Sequence, residues 1–189
     1  MILLQRPLIL ASSSPRRQFL LKEAGFTFVV DSPNIDESFS DSMPVESVPV
    51  YLAEKKAKAL LSKISNEIVL ASDTVVILGN KILNKPANRN EAIQMLTTLS
   101  GETHLVITAV CLLSREKVVS FDDRTEVTFA KLSQSEIEFY IDHYKPFDKA
   151  GAYGAQDWLG MIGVEKINGS YFTVMGLPIH KVYQQLMKF

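Results

Sequence analysis

A single cysteine stands among the 189 residues, so the chain can form no intramolecular disulfide. It is Cys111, whose apolar neighbours indicate a buried structural thiol. Long apolar runs are also missing, since no stretch approaches the ~18 residues of a transmembrane helix. The N-terminal segment MILLQRPLILA lacks the basic start and the continuous apolar core of a signal peptide. These absences predict a cytoplasmic protein that binds no membrane.

Neither sign of charge prevails in the chain. The 20 Lys and Arg against 21 Asp and Glu leave a formal net charge of −1, which argues against non-specific binding of nucleic acid. Hydrophobic residues make up 47% and charged residues 22%, which is the composition of an ordinary globular domain. The length fits one domain, or one domain with two lobes, and we expect a single domain over residues 1–189.

Several motifs of well-known enzyme classes are absent. The chain has no GxxxxGK[ST], GxGxxG, HExxH or GxSxG segment, which argues against a P-loop NTPase, a Rossmann dehydrogenase, a zinc protease and an α/β-hydrolase. Its three histidines share no metal-ligand spacing, so they predict no zinc site.

The apolar periodicity predicts an α/β fold with a mixed sheet. Turn signals at Gly79-Asn80 and Asn168-Gly169 predict two hairpins. Ser133 and Glu136 have the spacing of a capping box, and residues 146–163 are expected to form loops. Strands are predicted over 8–11, 26–30, 68–71, 75–78, 104–113 and 118–132. Helices are predicted from 15, from 50, over 89–99, over 133–143 and from 177.

The segment LILASSSPRR predicts a short strand, a serine turn and the first turn of a helix. Ser14 is a suitable N-cap, and Pro15 fits the first helical position. Arg16 and Arg17 are unfavourable in that turn because the helix N-terminus is already partly positive. They make sense if an anion such as phosphate binds there. The alternative is a capped surface helix with two solvated arginines.

Two carboxylates are candidates for catalysis. Asp73 separates two β-branched runs although Asp is a poor strand former, and we expect it at the end of strand 68–71, where α/β sheets often present functional groups. The alternative is a simple turn with Thr74. Glu37 follows Asp36, and carboxylates from two loops can share a hard divalent cation. Taken alone, an acidic pair such as Asp36-Glu37 is more often part of a solvated loop.

Taken together, these segments resemble the Maf family of septum-formation-inhibitor-like nucleotide pyrophosphatases over essentially the whole chain. Each motif is weak alone, and their order along the chain carries the resemblance. The motifs are LILASSSPRR (8–17), Ile35-Asp36-Glu37, AEKKAKA (53–59), Ala71-Ser72-Asp73-Thr74, Asn84-Lys85-Pro86, DKAGAYGAQ (148–156), INGSY (167–171) and VMGLP (174–178).

The resemblance implies an enzyme that hydrolyses the α–β phosphoanhydride of nucleoside triphosphates with a divalent cation, Mg²⁺ or Mn²⁺. It implies a long bent mixed β-sheet flanked by helices, with two lobes around a central cleft, as in inosine-triphosphatase-like proteins. It also implies that the protein forms a homodimer. The molecule it is expected to bind is the nucleoside triphosphate substrate. Roles in cell-division arrest and in keeping modified nucleotides out of nucleic acids follow from the same likeness.

Position by position, the resemblance makes Asp73 the catalytic base and assigns Glu37 and Asp73 to the metal. At Lys55 the family usually has Glu, and the helical register favours Lys56 as the lysine that faces the site. The positions that match phosphate-binding groups of the family are Ser12, Ser14, Arg17, Lys56 and Lys85.

Arg16, Thr74 and Gln156 resemble the branch of the family that acts on dTTP and UTP, and so are expected to determine specificity. The Gln156 amide offers both a donor and an acceptor, which suits the O4/N3 edge of thymine or uracil. Two alternatives remain: a nucleotide-binding regulator of septum formation without significant turnover, and a pyrophosphatase that acts on a purine or modified nucleotide.

Overall fold

The computed structural model describes residues 4–189; residues 1–3 of the N-terminal segment discussed above lie outside the described residues. Seven strands occur in this part of the chain: β1 Leu8–Leu10, β2 Val29–Val30, β3 Ile68–Leu78, β4 Lys81–Leu83, β5 Thr103–Leu113, β6 Val118–Phe129 and β7 Val164–Asn168. The helices are α1 Pro15–Glu23, α2 Val48–Lys58, α3 Arg89–Leu99, α4 Gln134–Tyr144, α5 Trp158–Gly163, α6 Tyr171–Met175 and α7 Ile179–Leu186.

The strands form one mixed sheet, flanked by helices, in the order β2-β1-β3-β5-β6-β7, with β4 paired to β3 outside this order. Strand β1 pairs in parallel with β2 and with β3, and Leu10 lies opposite Leu70. Strand β4 runs antiparallel to β3, and β7 runs antiparallel to β6. The predicted α/β class with a mixed sheet is confirmed. None of the helices in residues 4–189 has the length and apolar character that crossing a membrane requires.

The chain forms two compact units, each with its own apolar core. The first contains residues 4–73, Thr108–Asp123 and Gly176–Phe189, and the second contains Thr74–Ile107 and Arg124–Met175. The core of the first unit is built from small and aliphatic side chains, among them Ala53, Ala57, Val69, Ala71, Ala109 and Cys111. The core of the second unit is richer in large side chains, among them Leu96, Phe129, Ile137, Tyr140, Tyr153 and Leu159. The predicted burial of the only thiol is confirmed.

Local signals read from the sequence mostly match the observed elements. Ser133 and Glu136 form the capping box at the start of α4, with both reciprocal hydrogen bonds present. The Gly79-Asn80 hairpin is present between β3 and β4. Helix α1 begins at Pro15, as predicted, but the Ser14 side chain at its N-cap makes no capping hydrogen bond.

Two predictions about the strands were wrong. Residues Ser72-Asp73-Thr74 do not interrupt β3, which continues through them as one strand of 11 residues. Asn168-Gly169 does not turn a hairpin, because β7 pairs with β6, from which it is distant in sequence, and Asn168 lies opposite Glu126. Part of the segment 146–163, expected to be loop, forms α5 and two short 3-10 turns.

Candidate active site

Asp73 lies in the middle of β3 and not, as predicted, at the end of a strand. Alternation along a strand places it on the same face as Val69 and Ala71. Both residues belong to the core of the first unit, to which α2 contributes Ala53 and Ala57. Asp73 itself is only 7% exposed. A buried carboxylate therefore extends the face of β3 on which α2 packs.

Lys56 of α2 pairs with both predicted carboxylates. It follows Ala53 by three residues and precedes Ala57, so it projects from the packed side of the helix. Its Nζ lies 2.6 Å from Oδ1 of Asp73 and 3.0 Å from Oε1 of Glu37. The lysine side chain is 11% exposed. One nearly buried ammonium therefore joins a strand carboxylate to a loop carboxylate.

The neighbouring Lys55 takes a different direction. Its Nζ donates to the backbone carbonyl of Ser38 at 3.2 Å and lies 5.7 Å from the centre of the Tyr51 ring. The lysine that meets the carboxylates is thus Lys56, the one that the helical register favours.

Asp36 and Glu37 have separate tasks in the loop before α2. The Asp36 carboxylate accepts hydrogen bonds from the backbone N–H of Ser38, at 2.9 Å, and from its hydroxyl. These bonds lower the pKa of Asp36 below its ordinary value. They also fold the loop locally, while Glu37 reaches Lys56. Of this acidic pair, Glu37 is the residue that contacts the Lys56 ammonium.

Arg17 lies in the first turn of α1, and hydrogen bonds to Gly176 and Ser12 hold its guanidinium. Its Nε donates to the carbonyl of Gly176 at 2.9 Å, and its Nη1 donates to the Ser12 hydroxyl at 3.2 Å. That hydroxyl also accepts a hydrogen bond from the backbone N–H of Ser14, at 3.3 Å. The serine turn therefore fixes the guanidinium of Arg17 next to the N-terminus of α1.

Arg17 also interacts electrostatically with the two carboxylates. Burial lowers the pKa of Arg17; the Asp73 charge opposes this, the Arg16 charge adds to it, and the Glu37 charge opposes it. An arginine guanidinium stays protonated in proteins, so Arg17 is a permanent cation. Arg16, Arg17 and Lys56 therefore bring positive charge to the Asp73 and Glu37 carboxylates. These cations can attract an anion such as phosphate.

Three predicted residues belong to the second unit. Thr74 follows Asp73 in β3 and is half-buried, and Lys85 is exposed in the segment after β4. Gln156 lies before α5, and its Oε1 is buried without a hydrogen-bond partner among the described residues. The loop that carries Gln156 is attached to the segment of Lys85, because Gly151 N–H donates to the carbonyl of Asn84 at 3.2 Å.

A family model for Maf-like proteins matches residues 7–189. The chain belongs to the Maf-like protein family. A dTTP/UTP pyrophosphatase of Bacteroides fragilis is 49% identical to this Maf-like chain over 181 residues, which cover 95% of it and 94% of the relative. A dTTP/UTP pyrophosphatase of Parabacteroides distasonis is 47% identical over 184 residues, which cover 96% of this chain and 95% of the relative.

A more distant likeness extends to a solved structure of a HAM1 protein from Coxiella burnetii. It superposes with a TM-score of 0.56 at 15% identity and covers 98% of this chain and 100% of the other. At that identity the likeness shows the fold alone. The Maf-like protein and the HAM1 protein share an architecture.

The two carboxylates that contact Lys56 are compatible with a hard divalent cation. Residues 4–189 contain no group of three or more His, Cys, Asp or Glu side chains arranged to hold a metal. Glu37 and Asp73, however, are two carboxylates that converge on one ammonium. Mg²⁺ is commonly bound by one or two carboxylates, with substrate phosphate oxygens and water as the remaining ligands. The two residues fit such a cation when a phosphorylated substrate supplies the other ligands.

Gly176 is a site residue that sequence reasoning missed. Its carbonyl accepts from Arg17 Nε and also from the Ser72 hydroxyl, at 3.2 Å. The residue has φ +106°, a backbone conformation that glycine adopts far more readily than other residues. The motif VMGLP contained this glycine, and a glycine between apolar residues was the available signal for a backbone contact.

Proposed function

We propose that this Maf-like protein is a nucleoside triphosphate pyrophosphatase that hydrolyses dTTP and UTP to the monophosphate and pyrophosphate. The observation that carries the proposal is the Lys56 ammonium joining Asp73 and Glu37 beside Arg17. This cluster combines a buried carboxylate with fixed positive charge, which hydrolysis of a phosphoanhydride requires. The two relatives named dTTP/UTP pyrophosphatase support the substrate class.

Asp73 is assigned the role of general base. In the proposed reaction a water adds to the α-phosphorus and pyrophosphate leaves, and Asp73 accepts the proton of that water. Lys56 donates to Oδ1, so it fixes the carboxylate and leaves Oδ2 as the oxygen that we assign to the water. The low exposure of Asp73 limits competing bulk solvent around that oxygen.

The cationic residues are assigned to the phosphates. Arg17 and Lys56 carry charge that stabilises the phosphate oxygens as negative charge develops on the leaving pyrophosphate. The serine turn and the N-terminus of α1 offer backbone N–H groups to the same anion, with Ser12 and Ser14 fixing the turn. Lys85 of the second unit is proposed to bind phosphate as well.

A divalent cation completes the proposed site. Glu37 and Asp73 would hold it, and the cation would supply charge neutralisation at the phosphates and a lowered pKa of bound water. With the cation present, Lys56 would keep the two carboxylates close together despite their mutual repulsion. Base selection is assigned to Arg16, Thr74 and Gln156.

The proposal is tested by release of pyrophosphate from a panel of triphosphates. The panel contains dTTP, UTP, CTP, ATP and GTP with Mg²⁺, with Mn²⁺ and with a chelator. We expect dTTP and UTP to be hydrolysed with the highest kcat/KM, and the chelator to abolish turnover. Tight binding of UTP without any release would indicate a nucleotide-binding regulator, and preferred hydrolysis of a purine would overturn the substrate class.

A further inference from the structure

The segment that carries Gln156 is attached to a buried hydroxyl of the second unit. Tyr140 of α4 is fully buried, and its hydroxyl accepts from the backbone N–H of Gly154 at 3.1 Å. The same hydroxyl donates to Oδ2 of Asp157 at 2.8 Å. Gln156 therefore stands between two residues that share one hydrogen-bonding partner, and its backbone is fixed from both sides.

Asp157 uses its carboxylate in an unusual way for its position. It is the N-cap residue of α5, where an aspartate commonly accepts from the first backbone N–H groups of the helix. Here it makes no capping hydrogen bond. Its carboxylate instead meets the Tyr140 hydroxyl and lies 3.6 Å from Nζ of Lys149. The side chains of Asp157 and Lys149 are 16% and 12% exposed, so this negative charge is held in a partly buried place.

The atoms that surround Gly154 indicate how the Gln156 amide is oriented. A Cβ at Gly154 would lie 2.6 Å from Oδ2 of Asp157 and 2.9 Å from Nε2 of Gln156. The carboxylate and the amide nitrogen thus border the same small space. A carboxylate attracts the N–H₂ end of an amide and repels its oxygen. Asp157 therefore favours the orientation in which the amide nitrogen is on its own side.

The other end of the amide is left without a partner. Oε1 of Gln156 is buried and accepts no hydrogen bond from the described residues. Buried acceptors in proteins are nearly always paired, so an unpaired one indicates a donor that comes from outside the chain. Uracil and thymine present an N–H at ring position 3 beside O4. Cytosine presents a bare ring nitrogen there, beside an amino group.

We propose that Asp157 is a positioning residue that orients the Gln156 amide and thereby selects uracil and thymine over cytosine. The amide oxygen accepts from the N–H at ring position 3, and the amide nitrogen donates to O4. Tyr140 and Lys149 act through Asp157 by fixing its carboxylate. The inference rests on the proposed function, in which Gln156 meets the base.

The test compares UTP with CTP, because these nucleotides differ only at the edge that Gln156 would recognise. Dissociation constants are measured for the non-hydrolysable α,β-methylene analogues of both, so the measurement does not depend on turnover. We expect the wild type to bind the UTP analogue more tightly. In Asp157→Asn this preference should fall about tenfold, the size of one hydrogen bond left unmade.

Asp148→Asn is the matched control. Asp148 lies in the same segment and pairs with Lys149 at 2.9 Å, but its side chain is 59% exposed. The control should keep the preference of the wild type. A preference unchanged in Asp157→Asn, or equal losses for both analogues, would overturn the inference, since equal losses indicate a collapsed segment and not a misdirected amide.

Tyr140→Phe provides an independent variant if Asp157→Asn does not fold. It keeps the buried ring and removes only the hydroxyl, so we expect a smaller fall of the preference in the same direction. A preference for the UTP analogue in a protein that releases no pyrophosphate would contradict the proposed function and leave the inference standing. Turnover of UTP and CTP at equal kcat/KM in the wild type would contradict the inference, while the pyrophosphatase activity of the proposed function would stand.

Discussion

The ammonium of Lys56 lies 2.6 Å from Oδ1 of Asp73, although the residues are 17 positions apart and belong to a helix and a strand. Both side chains are nearly buried, at 11% and 10% exposed, so solvent screens their attraction poorly. A buried carboxylate is tolerated only when it is paired. The pair therefore explains how an aspartate can occupy the middle of a buried strand.

Replacing Asp73 tests the assignment of the base. Asp73→Asn keeps the size of the side chain and removes its ability to accept a proton. Loss of a general base costs ~10²–10⁴-fold in rate, and weaker cation binding would add to this. We expect turnover of UTP to fall at least that far, as measured by pyrophosphate release, while the far-UV circular dichroism remains that of the wild type.

Asp31→Asn is a suitable control for that variant. Asp31 also pairs with a lysine, Lys63, at 2.9 Å, but its side chain is 41% exposed. Its replacement should leave the rate close to that of the wild type. Near-normal activity of Asp73→Asn would refute the assignment of the base.

Adjacent lysines on α2 allow a second comparison. Lys56→Gln leaves the Asp73 carboxylate buried without its ammonium, and breaking a buried pair in this way costs about 3 kcal/mol or more. Loss of positive charge at the phosphates should lower kcat about 10²-fold. Lys55→Gln removes a contact to the Ser38 carbonyl, a distant ring contact and the attraction to the exposed Asp36 carboxylate. It should change the free energy of unfolding by less than about 0.5 kcal/mol.

Urea denaturation and steady-state kinetics of both lysine variants decide the matter. If Lys55→Gln proved as damaging as Lys56→Gln, the charge of the helix as a whole would matter and the specific pair would not. Such a result would remove the main support for the proposed site.

The sequence predicted which residue types are unusual, but not how they meet. Asp73 stood out because aspartate is rare between β-branched runs, and the register of α2 favoured Lys56. The triplet Ser72-Asp73-Thr74 resembled a turn because its residues are common in turns. The buried ion pair outweighs that local preference, and this pair depends on the packing of α2 against β3. Local propensity alone therefore could not place Asp73 inside the strand.

The second hairpin failed for a related reason. Asn168-Gly169 has the composition of a tight turn, yet Gly169 leads into α6, and β7 finds its partner in the distant β6. A hydrogen bond from Ser170 N–H to the Thr125 hydroxyl, at 2.9 Å, fixes this connection. Pairing between distant strands is set by tertiary contacts that a short motif does not contain.

Arg17 is predicted to bind the phosphates of the nucleotide. Its guanidinium is fixed by Ser12 and Gly176, so little side-chain entropy remains to be lost on binding. Charge-assisted hydrogen bonds contribute roughly 1.5–3 kcal/mol, so Arg17→Ala should weaken binding of α,β-methylene-UTP about 10- to 100-fold by calorimetry. The comparison is Arg89→Ala, which removes a 44% exposed arginine paired with Asp142. Equal effects of the two replacements would show that Arg17 acts only through the overall charge.

The buried His104 of the second unit predicts how stability depends on pH. Its Nε2 lies 2.7 Å from the Tyr153 hydroxyl, and burial lowers the pKa of His104 from 6.5 to about 4. Between these values the unfolded chain binds a proton that the folded chain does not, so the free energy of unfolding falls as the pH drops. The contribution is complete above pH ~6.5 and amounts to about 3 kcal/mol. Urea denaturation between pH 7 and 4 should show this loss, and His104→Gln should remove it.

His143→Gln, which replaces an exposed histidine of α4, is the control and should keep the loss of stability. The same pH dependence in His104→Gln as in the wild type would assign the effect to other groups.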